Sequence, residues 1–157
     1  PAWFVQEVDD AATPEEELDA LGRIDTNTAA VINTREFDIR PLIGGEGEIR
    51  LEEYRPNYLR YEYTATAPGT AIFSEIYYKD GWTAYIDGIE TPYFRAAYLL
   101  RGMELPAGTH TVEWRFRAPG WTVAEGVTLA SSLAILAGII ATVILVLRHE
   151  RRQKTQA

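Results

Sequence analysis

Residues 111–117 read Thr111-Val112-Glu113-Trp114-Arg115-Phe116-Arg117, and this stretch decides the fold class. Val112, Trp114 and Phe116 fall on one side of an extended chain, with Glu113, Arg115 and Arg117 on the other. Period-two alternation of this kind makes a strand with one face on a core and one in water. Further strand-length runs lie upstream at Ile49–Glu52, Leu59–Ala65, Ala71–Tyr78, Trp82–Ile86 and Tyr98–Leu105. Turn residues punctuate them: Pro68-Gly69, the hairpin signal Asp87-Gly88, and Pro106-Ala107-Gly108. Many short strands with regular turns predict a mainly β fold, an antiparallel β-sandwich or jelly roll over residues 47–117. Its expected core holds Leu51, Tyr61, Trp82, Val112, Trp114 and Phe116.

Ahead of the sandwich, residues 1–46 read as a small α/β lead-in unit and linker. Ala2–Val8 suits a short strand and Ala29–Asn33 a second. Between them Thr13-Pro14-Glu15-Glu16-Glu17 is a helix start: Thr13 caps, Pro14 fits the first helical position, and the acids favour the positive end of the helix dipole. Gly22 is the expected stop. From Thr34 to Gly47 the pattern fades into a linker with Pro41, Gly44 and Gly45.

Toward the C-terminus, residues 126–147 read GVTLASSLAILAGIIATVILVL, 22 residues without a charge. At ~1.5 Å per residue they reach about 33 Å, enough to cross a hydrocarbon core of about 30 Å. Glu125 precedes this transmembrane helix, and Arg148, Arg151, Arg152 and Lys154 follow it. Basic residues stay on the cytoplasmic side, so residues 148–157 are expected in the cytoplasm and residues 1–125 outside it. Residues 118–125 form a juxtamembrane link that spans at most ~28 Å when extended, which places the sandwich close to the bilayer. Trp121 stands where an interfacial anchor belongs. Ala130, Ala134, Gly138 and Thr142 recur at four-residue spacing, a face of small residues on which a partner helix packs. Since Pro1 is not a start methionine, further membrane helices of the same parent chain are expected upstream.

Charge follows the same division. Through Glu125 there are 11 basic and 22 acidic residues, and from Arg148 onward four basic residues and Glu150. An acidic outer part argues against nucleic acid as a partner, because phosphate neutralisation needs clustered Lys and Arg. The chain has no cysteine, hence no disulfide, thiolate metal site or cysteine nucleophile. It has no P-loop, G-x-G-x-x-G or G-x-S-x-G, and its two histidines, His110 and His149, are too few for a multi-histidine site. No catalytic residue, metal site or cofactor is assigned.

One segment, Tyr78 to Tyr98, gathers aromatic and charged groups suited to a ligand. Trp82, Tyr85, Tyr93 and Tyr98 stand among Asp87, Arg95 and Arg101. Aromatic faces stack on sugar C–H surfaces, while Asp and Arg bind hydroxyls or phosphates, as a glycan or lipid headgroup requires. The same residues also suit structural roles: Trp82 and Ile86 share a strand face, and Asp87-Gly88 shapes a turn.

The ordered series Gly81-Trp82-x-Ala84-Tyr85-x-Asp87-Gly88, Pro92-Tyr93-x-Arg95-Ala96-x-Tyr98, Arg101-Gly102 and Leu105-Pro106-Ala107-Gly108-x-His110-x-Val112-Glu113 resembles the C-terminal region of YfhO-type bacterial membrane proteins. The opening Ala2-Trp3-Phe4-Val5 and the final span fit as well. Such proteins look like polytopic glycosyltransferases of the GT-C type. The resemblance implies a parent in the bacterial plasma (inner) membrane that moves sugar from a polyprenyl-phosphate carrier to a cell-envelope glycan or polymer. The catalytic acid of such enzymes usually lies in an early external loop, which this chain does not contain. The chain is then an accessory periplasmic or extracellular domain with the last span. The alternative is a non-catalytic membrane-anchored module that binds glycan or scaffolds envelope assembly.

Overall fold

The computed structural model describes residues 2–37 and 39–155, and side chains through residue 142 and at residue 144 except those of Asp38 and Thr122. Residues 1–117 and 118–157 are two compact units. The first contains strands β1 (Ala2–Phe4) and β2 (Glu7–Asp10), helix α1 (Pro14–Leu21), β3 (Ala29–Ile32) and the short helix α2 (Thr34–Phe37). It continues through β4 (Gly47–Arg55), β5 (Tyr58–Ala65), β6 (Gly69–Ile76), β7 (Trp82–Ile86), β8 (Ile89–Thr91), β9 (Phe94–Ala96), β10 (Leu100–Leu105) and β11 (Gly108–Phe116). The second is helix α3 (Trp121–Thr155).

Two sheets form the layers. One runs β4-β5-β11-β7-β8 and the other β1-β6-β10-β9-β3-β2. All their pairings are antiparallel except β2 on β3, which α1 connects as a crossover. The sandwich therefore includes β1, β2 and β3, whereas the sequence confines it to residues 47–117. Ala2–Val8, expected as one strand, is two. These strands have three or four residues, too few for alternation to show, yet they pair the edges that β6 and β9 would otherwise leave open. β1 and β2 stand at opposite ends of the six-strand order although only Val5 and Gln6 separate them. That sheet must curl back on itself. Val5, Ile32, Ile72 and Phe94 fill the inside of the curl. Phe94 packs directly on Gly102, where a Cβ would lie 2.2 Å from its ring.

Between the sheets, Phe4, Tyr61, Phe73, Met103, Leu105, Val112 and Trp114 make the main core. Trp114 and Phe73 meet edge to face at 5.3 Å, as do Tyr61 and Phe73 at 5.0 Å. Of the expected core residues, Tyr61, Val112 and Trp114 are fully buried. Leu51 and Trp82 are half-buried against that core, and half-buried Phe116 stacks on Trp82 at 5.3 Å.

α1 begins as its sequence dictates. Thr13 Oγ1 accepts from Glu16 N at 3.3 Å, Pro14 takes the first turn, and Gly22 caps the end. Glu16 reaches back past the cap, accepting from the N–H of Ala12 at 2.8 Å.

α3 starts at Trp121, so helical structure takes in residues 121–125, which the apolar pattern excludes; backbone hydrogen bonding is indifferent to the charge of Glu125. Val123–Thr142 is long and apolar enough to cross a membrane. Its hydroxyls bond back to the helix: Thr128 to the Ala124 carbonyl at 2.8 Å, Ser132 to Thr128 at 2.8 Å, and Thr142 to Gly138 at 2.9 Å. A helix surrounded by hydrocarbon requires that its polar groups be satisfied internally.

Candidate groove and its flanking charges

β7 carries Trp82, Ala84 and Ile86 toward the core, because its partners on β11 are Phe116, Trp114 and Val112. The Asp87-Gly88 pair then reverses the chain. Both residues have positive φ, 50° and 81°, as the hairpin turn that matches strand twist demands. β8 returns beside β7 and ends at Thr91, and Pro92-Tyr93 folds back over the start of β7. The Tyr93 hydroxyl lies within hydrogen-bonding reach of two carbonyls, Tyr78 at 3.2 Å and Trp82 at 3.3 Å. Its ring stands edge to face on Trp114 at 4.9 Å. A groove of about 450 Å³ results, lined by Trp82, Thr83, Ala84, Glu90, Thr91, Pro92 and Tyr93. β8 is the end strand of its sheet, so the groove opens on a free edge.

Arg101 stands behind this wall. Its guanidinium carbon lies 4.2 Å from the centre of the Trp82 ring and 4.9 Å from that of Trp114. Nε donates to the Ile76 carbonyl at 3.0 Å, while Nη1 has no hydrogen-bond partner among the described residues. Arg101 is 3% exposed, and burial pushes its pKa below the usual arginine value. An arginine nevertheless stays charged, so the aromatic faces carry this cation.

The other candidates lie elsewhere. Tyr85 is on the outer face of the five-stranded sheet, with the Arg115 guanidinium 4.5 Å from its ring. Asp87 works within its turn: Oδ1 accepts from Thr111 N at 2.9 Å, and Oδ2 meets His110 Nδ1 at 2.6 Å. Arg95 belongs to a separate corner. Its Nη2 donates to Glu36 at 3.0 Å and lies 3.1 Å from the carboxylate of Glu17. Tyr98 is in the adjoining loop at φ 69°, after Ala97 at φ 48°. The structure thus brings Trp82 and Tyr93 together in one groove with Arg101 behind them, and leaves Tyr85, Asp87, Arg95 and Tyr98 out of it.

Sequence reasoning misses three groups. Glu90 and Thr91 line the groove; their signal is the position directly after the hairpin turn, where the short β8 returns. Glu17 is fully buried beside Ala20 on the core face of α1. A carboxylate spaced with the apolar side of a helix is a signal that an internal cation faces it. Burial raises the Glu17 pKa, and attraction to Arg95 only partly opposes this.

His110 joins two of the quoted motifs. Its Nδ1 faces Asp87, and its Nε2 faces the Ala107 carbonyl at 3.0 Å. Both partners are acceptors, so both ring nitrogens donate only in the imidazolium form. The bond to Asp87 and that to Ala107 raise the His110 pKa; the Thr111 amide, then His110, hold that of Asp87 low. Among the described residues, no three His, Cys, Asp or Glu side chains are grouped so as to hold a metal ion.

Comparison with curated proteins and comparison with solved structures each returned no match. The family described as Bacterial membrane protein YfhO matches residues 32–128, more than half of the chain, from the end of β3 through the first turns of α3. With an apolar helix able to cross a bilayer following the sandwich, the chain belongs to the YfhO family of bacterial membrane proteins and is membrane-associated.

Proposed function

We propose that this chain is the extracytoplasmic C-terminal domain and last span of a polytopic plasma-membrane glycosyltransferase. In this reading the parent takes sugar from a polyprenyl-phosphate carrier and attaches it to a cell-envelope glycan or polymer. Residues 1–125 are outside the cytoplasm, residues 148–157 inside, and upstream helices of the parent pack on the Ala130–Gly138 face. The chemistry belongs to the parent, and the domain's part is to hold or cover the acceptor. The observation that carries this reading is a YfhO-family sandwich with an aromatic groove on a free sheet edge, followed by an apolar helix with a basic end. Of the seven candidate ligand residues, Trp82 and Tyr93 make the contact, and Arg101 supports Trp82 from behind. Tyr85, Asp87, Arg95 and Tyr98 act through the fold around the groove.

Two measurements test this. The chain has no cysteine, so single cysteines at Lys79 and Gln153 report topology cleanly. A membrane-impermeant maleimide on spheroplasts should label Lys79→Cys and spare Gln153→Cys; the reverse pattern defeats the orientation. In the parent protein, Tyr93→Ala should lower sugar transfer at unchanged folded protein in the membrane. Transfer unchanged by Tyr93→Ala removes the groove from the reaction, and absence of any transfer by the parent removes the enzymatic reading.

A further inference from the structure

We infer that the Trp82–Tyr93 groove is a subsite for an uncharged sugar ring and takes the sugar of a glycan, not the phosphate of a lipid carrier or polymer backbone. The inference rests on the reading above that the domain works on envelope glycans, and it names the ligand class of that site.

The polar inventory of the groove decides the class. Beside Trp82 and Ala84 the lining offers the Thr91 hydroxyl, while the Tyr93 hydroxyl is engaged with carbonyls. Thr83 and Glu90 pair with Arg115 and Tyr85, so their side chains stand on the outer rim, where Glu90 is the one charged residue of the lining. Thr91 Oγ1 already donates to the Ile89 carbonyl at 3.0 Å, so what it has left for a ligand is acceptor capacity. Acceptors, hydroxyls and a free strand edge suit the hydroxyl donors of a sugar. A phosphate needs cations or clustered N–H donors; no lysine or arginine lines the groove, and the one charged residue at its rim, Glu90, is an acid.

The two nearby guanidiniums do not change this balance. Arg95 is spent on Glu17 and Glu36. Arg101 is buried, does not line the groove, and has its charge against the indole rings of Trp82 and Trp114. Its position also disfavours a cationic ligand, because Trp82 already holds one cation and a second at the same ring would meet like charge. What remains is an uncharged ring with apolar C–H faces and hydroxyl edges. The groove volume of about 450 Å³ lies inside the range of about 300–1,000 Å³ that small-molecule sites occupy.

Saturation-transfer difference NMR on the full chain in nanodiscs tests this with four probes at equal concentration: methyl glucoside, N-acetylglucosamine, glucosamine and glycerol 3-phosphate. The two uncharged sugars should take up saturation at least threefold more strongly than glycerol 3-phosphate or glucosamine. Thr91→Trp fills the groove from an edge strand and should abolish the sugar signal while the far-ultraviolet circular dichroism stays native. Glu90→Arg should raise the glycerol 3-phosphate signal. Equal or stronger saturation of glycerol 3-phosphate or glucosamine in the unmodified chain overturns the inference, as does an undiminished sugar signal in folded Thr91→Trp. These outcomes are separable from failure of the enzymatic reading. Binding is measured on this chain without any transfer, so a parent that transfers no sugar leaves the groove result standing, and a groove that binds none leaves transfer to be found elsewhere.

Discussion

Arg95 and Arg101 are directly opposed across β9 and β10, yet their charges are held in unlike ways. Arg95 reaches the corner under α1 and α2 and lies between two carboxylates, one of them fully buried. Arg101 reaches the core between the sheets and finds two indoles and one carbonyl. In the first corner the cation and anion were both removed from water, so each depends on the other. In the second only the cation was removed, and no anion is stranded if it goes. The difference teaches that the residue type alone does not set the cost of losing a buried arginine; what it leaves behind does.

The largest effects come from the two supports of these corners. Trp114→Ala removes the ring that contacts Phe73, Tyr93 and Arg101 and should cost ~3–5 kcal/mol, read by urea titration in micelles. Arg95→Met should cost a similar ~3–5 kcal/mol at pH 8, since it strands the Glu17 carboxylate. The sign of its pH dependence is set by Glu17, whose folded pKa is already raised by burial. A raised carboxyl pKa weakens the fold above that pKa and is relieved below it, so the deficit should shrink as pH falls from 8 toward 5. Adding Glu17→Gln should recover part of the loss at pH 8. Arg101→Met should be milder, under ~2 kcal/mol, because the lost cation–π contact and carbonyl bond are offset by no longer burying a charge. If Arg101→Met costs as much as Arg95→Met at pH 8, the contrast between the corners is wrong.

The sequence makes one half of this contrast legible and hides the other. β11 and β5 alternate over nine and eight residues, so their faces can be assigned by eye, and Trp114 and Tyr61 lie on the core side as that alternation says. β8 and β9 have three residues each, less than two periods, and leave no pattern to detect. The curl of the six-stranded sheet is invisible for a related reason: it depends on a kink at Val5-Gln6 between two strands of three and four residues. The aromatic groove is half legible, since Trp82 and Tyr93 stand out by type. Their separation from Arg95 does not, because it depends on Glu36, 59 residues away in sequence, and on a long side chain that can turn either way from its strand.

The smallest effect sharpens the comparison with a third charge pair, at the surface. His110 and Asp87 tie the β7–β8 turn to the β10–β11 turn, and both remain partly exposed, 26% and 49% at the side chain. Exposed pairs contribute about 0.2–1 kcal/mol, so His110→Gln should cost no more than ~1 kcal/mol. Its pH window is what separates it from both arginine corners. The His110 pKa is raised in the fold, so its stabilisation is complete below the unfolded value of about 6.5 and is lost as pH rises through the folded value. The Asp87 pKa is lowered, so its share is present above about 3.8 and lost as pH falls through the folded value. The pair should therefore stabilise most between about pH 4 and 6.5, and the difference between the parent chain and His110→Gln should narrow toward pH 8.5. Arg95→Met runs the opposite way, its deficit growing with pH. A His110→Gln deficit that is flat from pH 5 to 8.5 would mean that the imidazole serves by shape and stacking on Tyr63, 5.6 Å away, and that its charge contributes nothing.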